Sequence, residues 1–230
     1  GLWFLLKAFP SFFFFIFIPQ LCFHYEVFCN ELIQTWITMQ KVKVIVIGPK
    51  QCGKSILTNY LVDSSLEQPS GNYIPTKGCR IVEYEGIFHV HNKQAKVEIQ
   101  FWDVSGDFKY ENCWPAIQHG ANGVILVFNP NQISHENEIE YLYSTFIKEA
   151  DLGEKNCLLV GIKNTPAEDS SVGFRMPQSM ENLICHIVSL SEEGNSKIRG
   201  EFNSFVENLL RDISDRTEME EANIINIKLD

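Results

Sequence analysis

Six apolar runs punctuate the chain after Met39: Val42–Ile47, Arg80–Tyr84, Val97–Trp102, Gly123–Phe128, Cys157–Ile162 and Leu183–Ser189. Most are continuous rather than alternating, the pattern of strands covered on both faces of a parallel sheet. Between them the apolar period lengthens from two to about 3.6. Lys54–Val62 predicts one helix. Ser134–Glu149 predicts a second, with Ile139, Leu142, Tyr143, Phe146 and Ile147 on one face. Ser196–Ile213 predicts a third, with Ile198, Phe202, Phe205, Val206, Leu209 and Ile213 on one face. Strand and helix alternate, which predicts an α/β fold: a doubly wound, mostly parallel six-stranded sheet with its ligand at the carboxyl ends of the strands. Asp151–Lys155 and Thr165–Gln178 read as loops, and residues 214–230 as an acidic, loosely ordered tail.

Residues 1–38 follow a different pattern. From Leu2 to Phe23 only Lys7 is charged, and Ser11–Ile18 is almost entirely phenylalanine and isoleucine. Length and polarity would permit a membrane anchor. Pro10 and Pro19 interrupt such a helix, the chain begins with Gly1, and Met39 stands at the edge of the first strand. Poly-Phe is also what a T-rich noncoding stretch yields when translated. The expectation is a gene-model extension preceding a domain over 39–213, with an anchor or a buried accessory segment as the alternatives.

Charge narrows the function classes. The 230 residues carry a net charge of -10 and no Lys/Arg cluster, which argues against a nucleic-acid groove or a polybasic membrane patch. Seven cysteines are scattered without a C-x-x-C pair, as in a reducing compartment rather than in a disulfide framework or zinc site. His89 and His91 alternate on a strand, a pattern that suits a solvated face better than a metal site.

The chemistry is concentrated at Gly48-Pro49-Lys50-Gln51-Cys52-Gly53-Lys54-Ser55. It lies between an apolar strand and a helix with the G-x-x-x-x-G-K-[ST] spacing of a P-loop. Such a loop curls so that successive N–H groups point at a phosphate, and Gly48 and Gly53 permit the curl. The helix adds the positive end of its dipole. Phosphate contacts are expected from Gly48, Lys50, Gln51, Cys52, Gly53, Lys54 and Ser55. Lys54 reaches the β- and γ-phosphates, and the Ser55 hydroxyl ligates Mg²⁺.

Downstream, the third strand ends in Asp103, followed three residues later by Gly106. In a P-loop NTPase this Asp supports Mg²⁺ and the Gly N–H senses the γ-phosphate. A strand followed by an ordinary turn would read the same in isolation. Between the two motifs lies Pro75-Thr76-Lys77-Gly78, whose Thr76 is a candidate for both Mg²⁺ and the γ-phosphate.

Over Met39 to Ile213 the chain resembles the Ras-like small GTPases. Tyr73-x-Pro75-Thr76-x-Gly78, Trp102-Asp103-x-x-Gly106-Asp107 and Cys113-Trp114-Pro115-Ala116 look like the Rab-like protein 5, or intraflagellar transport protein 22, family. The resemblance implies GTP or GDP with Mg²⁺ held by Ser55, Thr76 and Asp103. It implies a subunit of the intraflagellar transport B complex, partnered by that complex's coiled-coil core subunits. The expected location is the cytoplasm, the cilium or flagellum, and the basal body.

Three departures from the small-GTPase pattern shape the expected activity. Asp107 replaces the Gln that orients the attacking water, and Lys50 occupies a loop position where hydrolysing relatives tolerate only small residues. Base recognition is degenerate: Gly161-Ile162-Lys163-Asn164-Thr165 stands where Asn-Lys-x-Asp belongs, so only Lys163 keeps its role against the base. Thr165 replaces the acceptor for guanine, with Glu168 or Asp169 as substitutes and Ser189-Leu190-Ser191 at the last base-contacting loop. No cysteine follows Cys185, so no prenyl anchor is expected and docking to protein takes its place. The expected activity is at most slow GTP hydrolysis in a nucleotide-loaded adaptor. A cycling Rab-like regulatory GTPase is the alternative, and a small-molecule kinase a distant third. Trp114 is either an exposed aromatic anchor for the partner, with Pro115, or a core residue under the adjacent helix.

Overall fold

Residues 40–63, 74–91, 93–163, 175–189 and 192–227 are described by the computed structural model, with the side chains of 192–196, 221 and 223–227 excepted. Strand β1 (Gln40–Ile47) shows why the apolar runs are continuous. Val42, Val44 and Val46 point to one face of the sheet, and Ile45 and Ile47 to the other. β4 (Gly123–Phe128) and β5 (Cys157–Lys163) divide their residues in the same way. Each face therefore needs its own cover.

One face packs beneath helices α1 (Lys54–Val62) and α4 (Glu192–Ile227), where Phe202, Phe205, Val206 and Leu209 meet Val44, Phe101 and Ile125 in one buried cluster. The Phe101 and Phe202 rings lie 5.5 Å apart. The opposite face is covered by α2 (Trp114–Gln118) and α3 (His135–Tyr143), the latter running on through a π-helical turn over Ser144–Lys148. Ile139, Leu142, Tyr143, Phe146 and Ile147 are all buried there, as their spacing predicts.

The sheet order is β2-β3-β1-β4-β5-β6, with β2 (Cys79–Val90), β3 (Lys93–Val104) and β6 (Cys185–Ser189) completing it. β1–β4, β4–β5 and β5–β6 are parallel, and β2–β3 is an antiparallel hairpin. This is the doubly wound, mostly parallel six-stranded arrangement expected. The carboxyl ends of β1 and β3 meet the start of α1, which fixes where a ligand must sit.

Several boundaries differ from expectation, most of all in β2, β3 and α4. β2 and β3 each extend to twelve residues. Glu85–Val90 alternates exposed and covered positions, so it has no apolar run to read. α4 continues through residues 214–227 instead of loosening at Ser214. That stretch has no Gly or Pro and carries Glu, Arg, Met and Ala, which favour helix by propensity. Residues 1–39, including the expected extension, lie outside the described residues. No helix among the described residues is long and apolar enough to cross a membrane.

Candidate functional site

β1 ends at Ile47, and the next six residues wrap into a loop before α1 begins. Positive φ values fall on Gln51 (58°) and Gly53 (96°). Gly48 is required for a different reason than curling. A Cβ there would lie 1.9 Å from the Val127 carbonyl oxygen, so the loop can cross the end of β4 only as glycine. The other close approach is at Gly106, where a Cβ would stand 2.5 Å from the Gly48 oxygen and 2.7 Å from the Lys50 nitrogen. The loop after β3 thus rests directly on the loop after β1, and the two motifs form one surface.

Lys54 is buried at the start of α1, and its Nζ donates to the Gly48 and Pro49 carbonyls at 3.0 and 2.7 Å. The ammonium is therefore held under the loop arch. The Cys52 thiol donates to the Val127 carbonyl at 3.2 Å, and burial raises its pKa, so it acts as a packed anchor rather than a nucleophile.

The Ser55 Oγ lies 3.0 Å from Thr76 Oγ1. Twenty-one residues apart in sequence, these hydroxyls meet because the segment before β2 returns to the start of α1. Beside them lies Asp103, the next-to-last residue of β3, with its side chain 0% exposed. The guanidinium of Arg80 is 3.1 Å from Asp103 Oδ2, an ion pair without hydrogen-bond alignment. Both carboxylate oxygens are buried and lack a hydrogen-bond partner among the described residues. Burial pushes the carboxyl above its ordinary pKa, opposed by Ser55, Arg80 and Lys54. Two converging hydroxyls and an unsatisfied buried carboxylate are the oxygen-rich donor set that suits Mg²⁺.

Asp107 behaves differently from a water-positioning residue. Its Oδ1 accepts from the Lys109 amide at 3.2 Å, capping the 3₁₀ turn of Phe108–Cys113. Its carboxylate pairs with Lys109 Nζ at 3.1 Å and Lys50 Nζ at 3.3 Å. The Lys109 amide first, then the two ammonium groups, hold its pKa below the ordinary carboxylate range.

The expected base contacts are only partly within view. Lys163 is the half-covered last residue of β5. Ile162, where an Asn belongs, is buried and packs on Gly53, whose Cβ would come within 3.0 Å of Ile162 Cδ1. An apolar contact thus takes over the support of the loop. Asn164, Thr165, Glu168, Asp169, Leu190 and Ser191 lie outside the described residues.

Trp114 is a core residue. It is 2% exposed, with its ring 5.2 Å from Phe146 and 5.8 Å from Phe108. It cannot serve as an exposed anchor, because the helix it begins turns its ring under α3. Pro115 and Phe108 remain exposed. Among the described residues no group of three ligating side chains that could hold a metal ion occurs, and His89 and His91 lie on β2 and just after it. They face Glu207 and Asp215 of α4 at 3.8 and 4.0 Å.

Three residues at this end of the sheet carry no motif signal. Arg80 and Asn59 join each other at 2.9 Å beside Asp103. His135, buried at the start of α3, accepts the Asn129 N–H through Nδ1 at 3.1 Å and holds the turn after β4.

Residues 43–165 match the family model of the Ras of Complex (Roc) domain of DAPkinase. The zebrafish (Danio rerio) intraflagellar transport protein 22 homolog is 41% identical over 189 residues, covering 81% of this chain and all of that protein. The human homolog is 34% identical over 190 residues with the same coverage. A GTP-bound T. brucei IFT22/74/81 crystal structure superposes with a TM-score of 0.61 at 26% identity, covering 77% of this chain and 99% of that one. A GDP-bound T. brucei IFT22 structure gives 0.57 at 26% identity, over 74% and 97% of the two chains.

Proposed function

The chain belongs to the intraflagellar transport protein 22 family, and from that premise we propose that it is a GTP-binding, small-GTPase-like subunit of the intraflagellar transport B complex, acting in cilium assembly. The observation that carries this reading is the 3.0 Å contact of Ser55 with Thr76 above the orphaned Asp103. It joins the phosphate loop to the segment before β2, so that segment's position depends on what the loop holds.

Gly48, Lys50, Gln51, Cys52, Gly53 and Gly106 form the backbone cradle for the phosphates, and Lys54 supplies the buried positive charge. Mg²⁺, held by Ser55, Thr76 and Asp103, neutralises phosphate charge when bound. Lys163 packs against the base. The pairing of Asp107 with Lys50 and Lys109 engages the residue at the water-orienting position elsewhere, which supports slow hydrolysis. The protein then works as a loaded adaptor, docked to coiled-coil core subunits of the complex in the cilium or flagellum, at the basal body and in the cytoplasm. The structural neighbour's IFT22/74/81 assembly supports that choice of partner.

Nucleotide identity tests the reading. The purified full chain, denatured and analysed by chromatography, is expected to release GTP or GDP in near-stoichiometric amount. Release of ATP, or no detectable affinity for any nucleotide, would overturn it.

A further inference from the structure

Arg80 stands directly opposite Asp103 in the antiparallel β2–β3 register. The position is therefore set by strand pairing and not by a mobile loop. Its guanidinium reaches Asp103 Oδ2 at 3.1 Å on one side and the α1 residue Asn59, at Oδ1, at 2.9 Å on the other. Asn59 lies one helical turn beyond Ser55, so the arginine ties β2, β3 and α1 together at the rim of the donor set. Among the described residues Arg80 makes the ion pair with Asp103, while the Lys54 Nζ donates to the loop carbonyls.

We propose that Arg80 is a built-in counter-charge for the metal-supporting carboxylate, and that it makes nucleotide retention only weakly dependent on Mg²⁺. The proposal rests on the nucleotide-binding reading above. The reasoning is electrostatic. A buried carboxylate needs a compensating charge. In a site where a divalent ion is the sole compensation, removing the ion leaves that carboxylate uncompensated beside the phosphates, and the ligand escapes. Here the guanidinium remains after the ion leaves. Asn59 holds its orientation. While the ion is present, the guanidinium competes for the same carboxylate and repels the dication, so Mg²⁺ adds less. Both effects reduce the ratio of nucleotide release rates without and with the metal.

The experiment loads the full chain with a fluorescent GDP analogue and follows its dissociation in millimolar Mg²⁺ and in excess EDTA. Wild type is expected to release less than about fivefold faster in EDTA. Arg80→Gln removes the charge and should raise that ratio at least about fivefold above wild type. Arg80→Lys keeps the charge and should stay near the wild-type ratio. An EDTA acceleration above fivefold in wild type overturns the proposal, as does a ratio for Arg80→Gln equal to that of wild type. If Arg80→Gln does not fold, as judged by circular dichroism, the wild-type ratio decides alone. Failure of wild type to retain the analogue even with Mg²⁺ would instead refute the nucleotide-binding reading, so the two failures are distinct.

Discussion

Lys50 Nζ and Asp107 Oδ1 stand 3.3 Å apart, although 57 positions separate them in the chain. Each departs from the small-GTPase pattern on its own, Lys50 by bulk and Asp107 by charge and length. Their contact means that they depart together. The ammonium offsets the carboxylate that would otherwise repel a phosphate, and the Lys109 amide turns that carboxylate toward the following 3₁₀ turn. The pair bridges the two loops that Gly48 and Gly106 bring into contact.

Slow turnover is the first expected consequence. The purified protein should hydrolyse GTP no faster than about 10⁻⁴ s⁻¹, the unassisted small-GTPase rate. Asp107→Gln combined with Lys50→Gly should raise this, because it restores a neutral water-orienting group and empties the space beside it. Single-turnover measurement decides. A native rate above about 10⁻² s⁻¹ without any partner would favour a cycling regulatory GTPase.

Lys54→Ala addresses phosphate binding. The ammonium makes two hydrogen bonds to loop carbonyls and is buried there. Losing charge-assisted contacts to phosphate should weaken nucleotide affinity by about 100-fold or more. The far-UV spectrum should be retained, because the apolar residues of α1 are untouched. Unchanged affinity by titration calorimetry would show that the phosphate lies elsewhere.

Legibility divided along physical lines. Strands covered on both faces announce themselves as apolar runs, so β1, β4 and β5 were readable nearly to their ends. The outer half of β2 was not, because only one of its faces is covered. The continuation of α4 past Ile213 was hidden because residues 215–220 are exposed and mostly charged, with no apolar period to read. The P-loop and the Asp103–Gly106 pair were legible because phosphate chemistry imposes their spacing. Arg80 was not, because its role comes from the register that sets it opposite Asp103. His135 was missed for a similar reason: its partner is a backbone N–H that no side-chain pattern reveals. The site for the base is half-readable, since Lys163 keeps its motif position and Ile162 does not.

His135 makes stability depend on pH. Burial first, and the Lys54 charge second, push its pKa down to about 4 from 6.5. The unfolded chain therefore binds more protons than the native one between those values, and stability rises with pH across the window. The contribution is fully present above pH 6.5 and is lost as pH falls toward 4. With about 1.4 kcal/mol per pKa unit as the ceiling, a loss of order 1–3 kcal/mol is expected from this group. Urea unfolding at pH 7 and pH 5 should show it. His135→Phe should flatten that pH dependence while lowering stability at pH 7 by about 1–3 kcal/mol, because the Asn129 N–H is orphaned. An unaltered pH slope in that variant would assign the dependence to other groups.

The last prediction concerns which part of the molecule reports nucleotide state to a partner. The segment after Gly106 is pinned at several points. Asp107 is tied to Lys50, Glu111 accepts from the Tyr141 hydroxyl, and Phe108 stacks on Trp114 and Tyr141 at 5.8 Å each. Trp114 is locked in the core beneath it, so this segment offers a fixed platform through exposed Pro115 and Phe108. Among the described residues before β2, 74–78, the ties are fewer: the Gly78 carbonyl accepts from the Ser105 N–H at 2.8 Å. Ile74 is 84% exposed, and Thr76 is joined to the loop through the Ser55 hydroxyl. A γ-phosphate and its metal would strengthen that join, and their loss would release it. Pull-down of coiled-coil complex subunits should therefore be stronger with a non-hydrolysable triphosphate than with diphosphate. Thr76→Ala should erase most of the difference, whereas Pro115→Ala should weaken binding in both states alike. Equal recovery in every nucleotide state, with Thr76→Ala the same, would mean a constitutive subunit whose phosphate site stabilises the fold without signalling.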